Sequence, residues 1–237
     1  MQLSKDDILG ISDPLPAPEV LTRSQRLLKP FIVNAHSVVT LPLELINEHL
    51  QLPHGTLANM HRLNASSGDQ LRFIKSLPQL TNDDDRQVTF GEHTDFGSLT
   101  LVFNRPRGLQ ILPPGKYHEW CYVRPLPGHA VVNFGDAMAK FSNRMLHSNI
   151  HRIMSPPGAQ AKVARHSLVY LARPENEVIL KRLENSTLLK ELPPDLYDAS
   201  IITQLCSSPE FKGTEVSKEK RKRNGIEISW QNSYRIG

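Results

Sequence analysis

Cysteine is nearly absent: Cys121 and Cys206 are the only two in a chain of 237 residues, far apart and outside any CxxC pair. That spacing supports neither a disulfide framework nor a thiolate zinc site, so both read as ordinary buried or half-buried thiols. No apolar run approaches the ~20 residues that span a bilayer, and no transmembrane helix or membrane partner is expected. The opening stretch lacks both the basic-then-apolar order of a signal peptide and the Arg-rich, acid-poor look of a transit sequence. The expected setting is cytoplasmic. Internal repeats are missing too. The net charge is +4, but much of the excess sits in one run, Lys218-Glu219-Lys220-Arg221-Lys222-Arg223, and the rest nearly balances. No aromatic residues interleave with that run, so it reads as a solvated tail and no nucleic-acid partner is expected.

A chain of this length buries one sizeable core, and a single domain is the simplest reading. Residues 1–22 read as an extended lead-in, rich in Pro and Asp, with little regular structure. From Arg23 to Leu50 the apolar residues Leu27, Phe31, Val38, Leu41, Leu45 and Leu50 recur at helical steps. Pro30 and Pro42 fall inside that region, which predicts two or three helical pieces or a kink. Beyond Gly55 the pattern changes to short strand-like runs bounded by Gly, Pro or Asn: 70–75, 87–91, 98–104, 108–112, 120–125, 130–133, 149–154 and 167–172. So many short strands imply a sandwich, barrel or jelly roll, mainly β with flanking helices. After about Asn176 the chain turns polar and helical, and residues 213–237 read as a loosely ordered basic tail.

Gly91-Glu92-His93-Thr94-Asp95-Phe96-Gly97-Ser98 is the stretch richest in chemistry. On extended backbone His93 and Asp95 point the same way, because strand side chains alternate with period two. A lone His-x-Asp is usually a surface pair, and a metal site needs a third ligand. His151, in another strand-like segment, is the candidate, although His118, His129, His147 and His166 are rivals among ten histidines. If its segment is a regular strand, His147 shares a face with His151 and remains a possible pocket residue. Two neutral imidazoles with one carboxylate leave coordination positions open, the arrangement that suits Fe(II) in oxygenases, whereas zinc more often closes its shell or uses cysteine. Arg165 and Ser167 likewise share a strand face, and a guanidinium beside a hydroxyl clamps a carboxylate. His166 then faces away.

These motifs carry a resemblance. Gly91–Thr100, Gly108–Leu112, Val132-Asn133-Phe134-Gly135-Asp136, Ser142-Asn143 with Ser148 and His151-Arg152, and Arg165–Leu168 resemble the Fe(II)- and 2-oxoglutarate-dependent dioxygenases of the isopenicillin-N-synthase-like branch. Their order and spacing match over about Leu71 to Pro174, and the wording between them looks most like fungal members that act on specialised metabolites. The resemblance implies a double-stranded β-helix (jelly roll) of about residues 70–175 within a dioxygenase domain over 23–212. It further implies Fe(II) on His93, Asp95 and His151, 2-oxoglutarate held by Arg165 and Ser167, and dioxygen as the oxidant. Keto-acid decarboxylation to succinate would be coupled to oxidation of a small organic molecule, with Phe73, Phe96 and Gln110 as wall residues.

Three departures qualify the match. The family's N-terminal Asn-His-Gly motif does not occur, which leaves an incomplete substrate pocket as an expectation. Where the family often has Asn and Tyr near the keto acid, Leu71–Ser76 aligns Ile74 and Ser76. The family's Asn-Gly turn is Asn143-Arg144, so a position that often needs positive φ lacks glycine. Two other readings therefore stay open: an iron oxidase that uses no keto acid, and a shortened, catalytically silent metal-binding paralogue. Oligomeric state is not legible.

Overall fold

The computed structural model describes residues 1–13, 16–78, 88–115 and 119–192. Their elements run β1 (Gln2–Ser4), α1 (Lys5–Leu9), α2 (Glu19–His49), α3 (Thr56–Asn59), β2 (Gln70–Ser76), β3 (Val88–His93) and β4 (Leu99–Asn104). Then follow β5 (Leu109–Ile111), β6 (Cys121–Tyr122), β7 (Val131–Phe134), α4 (Asp136–Phe141), β8 (His151–Met154), β9 (Arg165–Ala172) and α5 (Thr187–Lys190). Each strand-like run of the sequence thus corresponds to a strand. All pairings are antiparallel, in a five-stranded sheet of order β1-β2-β9-β4-β7 and a four-stranded sheet of order β3-β8-β5-β6.

Helix α2 is not divided into the separate pieces expected as one outcome of its prolines: it runs unbroken for 31 residues through both Pro30 and Pro42. Its buried stripe is Leu21, Leu28, Ile32, Ala35, Val39, Leu43 and Ile46, continued by Leu50, and it packs on the sheet at β4 and β9. Phe31 meets Phe103 edge-on at 5.7 Å. Six large apolar side chains, at about 1.5–3 kcal/mol each, outweigh two interior prolines at about 3 kcal/mol each. The periodicity noted in the sequence belongs mostly to the other face: Leu27, Val38, Leu41 and Leu45 are exposed, and only Leu50 of that series is fully buried.

The opening residues are also more structured than an extended lead-in. Strand β1 adds an edge to the larger sheet by pairing Gln2 with Arg72 and Ser4 with Gln70. Lys5 is buried, donating to the carbonyl oxygens of Leu63 and Ala65 at 3.0 and 2.7 Å and pairing with Asp6 at 2.7 Å. Asp6 in turn accepts from Ser66 Oγ and the Ser67 backbone N–H. A buried ammonium needs such a full set of acceptors to offset its lost hydration. Among the described residues no helix is long and apolar enough to cross a membrane. The basic run at 218–223, the tail and Cys206 lie outside the described residues, while Cys121 is an exposed free thiol.

Candidate metal centre and anion clamp

His93 closes β3 and His151 opens β8, and antiparallel register sets them directly opposite each other. Their rings lie 4.2 Å apart between centroids. Asp95 follows His93 by two residues, and its Oδ1 lies 4.0 Å from His93 Nε2 and 3.9 Å from His151 Nε2. The three ligand atoms all fall within 4.8 Å of one another, the cluster of this kind found among the described residues. Each imidazole hydrogen-bonds through Nδ1 to the carbonyl two residues before it: His93 to Gly91 O at 2.8 Å, His151 to Asn149 O at 3.1 Å. A carbonyl only accepts, so the proton sits on Nδ1 and the Nε2 lone pair faces the cluster.

At His93 and Asp95 electrostatics point the same way. Burial pulls the His93 pKa down to about 4, with His151 adding to the effect and the Gly91 carbonyl and Asp95 opposing it. Burial would raise the Asp95 carboxyl, but His151, the Asn133 amide and His93 together hold it below the usual carboxylate range. Asn133, on β7, donates to Asp95 Oδ2 at 2.7 Å and leaves Oδ1 turned to the histidines. Neutral imidazoles beside an ionised carboxylate are what a divalent metal requires.

The loop bearing Asp95 is held from behind. The first backbone N–H groups of α4 donate to it, Asp136 N to Asp95 O at 2.8 Å and Ala137 N to Gly97 O at 3.2 Å, so the loop satisfies the helix's otherwise orphaned donors. Close approach demands glycine here: a Cβ on Gly135 would stand 2.7 Å from Asp95 O and nearer still to Gly97 O. One step on, Ser98 Oγ donates to Nε2 of the fully buried His61, whose Nδ1–H donates to Leu57 O, both at 2.7 Å.

At the far end of β9, Arg165 is 2% exposed and Ser167 is 5% exposed. Arg165 Nε donates to Arg107 O at 3.1 Å, but Nη2 and Ser167 Oγ are buried without a partner. No carboxylate among the described residues perturbs the guanidinium; burial alone pulls its pKa down. Gly108, at φ +129°, makes room for it, since a Cβ there would lie 3.0 Å from Arg165 Nε and 2.8 Å from Met154 O. A buried, unpaired cation with an orphan hydroxyl beside it is a receptor for a carboxylate supplied from outside.

The other residues singled out by sequence are not brought together here. Gln110 pairs with Arg152 across β5 and β8, whereas Ile111 pairs with His151; Gln110 therefore faces away and accepts from Arg152 Nε at 2.8 Å. Phe73 pairs with Leu168 while Ile74 pairs with Ser167, which turns Phe73 to the α2 side of the sheet. A cavity of about 920 Å³ at this end of the sheet is lined from both faces, by Phe73 and Leu168 on one and by Ile74 and the clamp residue Ser167 on the other, and includes none of the three clustered residues. Phe96 is half-buried beside Asp95. His147 is exposed before β8 begins, His129 and His166 are exposed, and His118 lies outside the described residues. Asn133 and Gly135 belonged to a recognised stretch without an assigned role, because their partners come from the Asp95 loop.

Residues 57–174 match the model of the 2OG-Fe(II) oxygenase superfamily. A 2-oxoglutarate-dependent dioxygenase, iboH, of Amanita muscaria is 32% identical over 67% of this chain and 77% of its own length. The chain belongs to the 2OG-Fe(II) oxygenase superfamily. A 2-oxoglutarate-dependent dioxygenase of Aspergillus fumigatus is 29% identical over 83% of this chain. The chain spans 56% of that relative's length and 50% of a Glarea lozoyensis relative's. In fold it is similar to a full-length Neurospora crassa protein solved with alpha-KG and thymine, at TM-score 0.66 and 22% identity, covering 86% of this chain and 62% of that one. It is also similar to a rice dioxygenase for auxin oxidation, at TM-score 0.64 and 21% identity, covering 94% and 66%. For an oxygenase of this superfamily, His93, Asp95 and His151 fit an iron ion.

Proposed function

We propose that this chain is an Fe(II)- and 2-oxoglutarate-dependent dioxygenase that oxidises a small organic molecule. The observation that carries the reading is the pairing, in one superfamily member, of a two-histidine, one-carboxylate cluster with a buried guanidinium that has no anion of its own. His93, Asp95 and His151 would hold the metal and leave its other positions to co-substrates. Arg165 and Ser167 would bind the far carboxylate of 2-oxoglutarate and so fix the keto acid's orientation towards the cluster. With iron bound, dioxygen would supply the oxidising power and 2-oxoglutarate two of the electrons it takes up, leaving as succinate and carbon dioxide. The protein's own part is to keep His93 neutral, the Asp95 carboxylate ionised and the clamp dry.

The two antiparallel sheets support reading the core at about 70–175 as a double-stranded β-helix. The buried Lys5 cluster supports extending the dioxygenase domain, expected over 23–212, to the first residue. Phe96 stays a wall residue in this reading, on its place next to Asp95.

The test is iron binding and turnover under one protocol. Loaded anaerobically, the protein should bind about one Fe(II), and His93→Ala, Asp95→Ala and His151→Ala should each weaken binding by more than the ~10–100-fold typical of residues behind the ligands. On exposure to oxygen it should convert 2-oxoglutarate to succinate. Wild-type iron affinity in all three variants would sink the ligand assignment; iron binding with no succinate under any condition would leave a silent metal-binding protein.

A further inference from the structure

The inner face of β2 carries a second cation that the proposed chemistry leaves unused. Register pairs Ser76 with Arg165, Ile74 with Ser167 and Arg72 with Val169. Directly opposed residues of an antiparallel pair share a face, so Arg72 points to the same side as the Arg165–Ser167 clamp, four residues further along the strand. At about 3.4 Å per residue, this puts it roughly 14 Å from the Arg165 level. The two cations thus stand at different levels of one wall.

The Arg72 guanidinium is held but not neutralised. Nη2 donates to Gln70 Oε1 at 3.0 Å, and Nε is buried with no partner. No carboxylate among the described residues pairs with it. Leaving a buried donor unmade costs about 1–3 kcal/mol, and an apolar side chain would avoid that cost at this position. An arginine fork, held by Gln70 on the clamp's face of the sheet, matches a carboxylate better than any neutral group.

We propose that Arg72 anchors a carboxylate of the organic substrate, so that the enzyme acts on organic acids. The proposal rests on the dioxygenase reading above, in which the keto acid occupies Arg165 and its other end faces the metal. Arg72 is then the cation left to orient the second reactant. It is a specificity residue and has no role in the oxidation itself.

The experiment uses the full chain loaded with Ni(II) and saturating 2-oxoglutarate under nitrogen, where binding is read without turnover. Matched probes, aliphatic and aryl monocarboxylic acids beside their primary amides, are titrated by calorimetry. Removing one partner of such a pair predicts that the best acid binds about thirtyfold or more tightly than its amide. That preference should vanish in Arg72→Gln and Arg72→Leu and return in part in Arg72→Lys. If no acid binds better than its amide in the wild type, the proposal is overturned whether or not the variants fold. It is overturned equally if the preference survives in Arg72→Leu, or if acids bind only when 2-oxoglutarate is left out and so occupy Arg165. Titrating Ni(II) and 2-oxoglutarate alone in the same preparation separates the two claims, because failure there refutes the parent reading instead.

Discussion

Replacing Gly135 by alanine should damage the metal centre from behind, without touching any ligand. Gly135 has φ −104°, a conformation open to any residue, so backbone strain plays no part. The cost is steric. The added methyl would stand 2.7 Å from Asp95 O, and real Cβ atoms keep at least 3.0 Å. The Asp95 carbonyl must therefore retreat by 3.0 − 2.7 = 0.3 Å at the minimum, and Gly97 O further. Ligand positions tolerate about 0.2 Å, and both carbonyls accept the bonds that join the loop to α4. Overpacking of this kind costs about 1–3 kcal/mol, or roughly 2–12 °C in melting temperature for a protein of this size. Scanning calorimetry of the metal-free protein and an anaerobic Fe(II) titration read the two effects. Gly115→Ala is the control: its φ of +75° costs about 1–2 kcal/mol, but nothing lies within 4 Å of the new methyl, so iron affinity should hold. Gly135→Ala with wild-type melting and iron binding would refute the reasoning.

Asn133→Ala removes the donor that turns Asp95 Oδ1 to the histidines, and iron affinity should fall about 10–100-fold; an unchanged titration would deny Asn133 that task. Arg165→Ala should raise half-saturation by 2-oxoglutarate about thirtyfold or more, and Arg165→Lys should recover only part, since an ammonium lacks the planar fork. An unaltered requirement in Arg165→Ala would favour the iron oxidase that needs no keto acid. His61 and metal-free His93 have folded pKa values below the unfolded value of 6.5. The unfolded chain therefore binds more protons below pH 6.5, so stability should be level above that pH and fall from 6.5 towards 4. Urea midpoints of the metal-free protein measure this, and equal midpoints at pH 7.5 and 5 would contradict it. In His61→Gln the fall should be shallower.

Much of the scaffold was legible because short strands announce themselves through the turn residues that bound them. The grouping of His93 with Asp95 and of Arg165 with Ser167 was legible because each pair needs only parity within its own segment. Phe73 and Gln110 needed more. Their faces depend on alignment with β9 and β8, and a slip of one residue turns a side chain to the other side. Helix α2 misled because it carries two apolar stripes, and sequence alone does not say which one meets the sheet. Three-residue β1 is too short to show a period, and nothing local marks Lys5 and Asp6 for burial, because their partners come from the 63–67 loop. Arg72 stood in plain view, but its significance comes from its neighbours.

Both proposed iron-binding histidines draw their orienting bond from the main chain, two residues upstream of themselves. A backbone carbonyl survives every side-chain substitution at Gly91 or Asn149, so no single replacement there deletes the acceptor that fixes the tautomer. Asp95, by contrast, leans on the side chain of Asn133. Mutational drift can therefore reach the carboxylate side of the centre far more easily than the imidazole side, and variants tuned in metal affinity should arise first at Asn133.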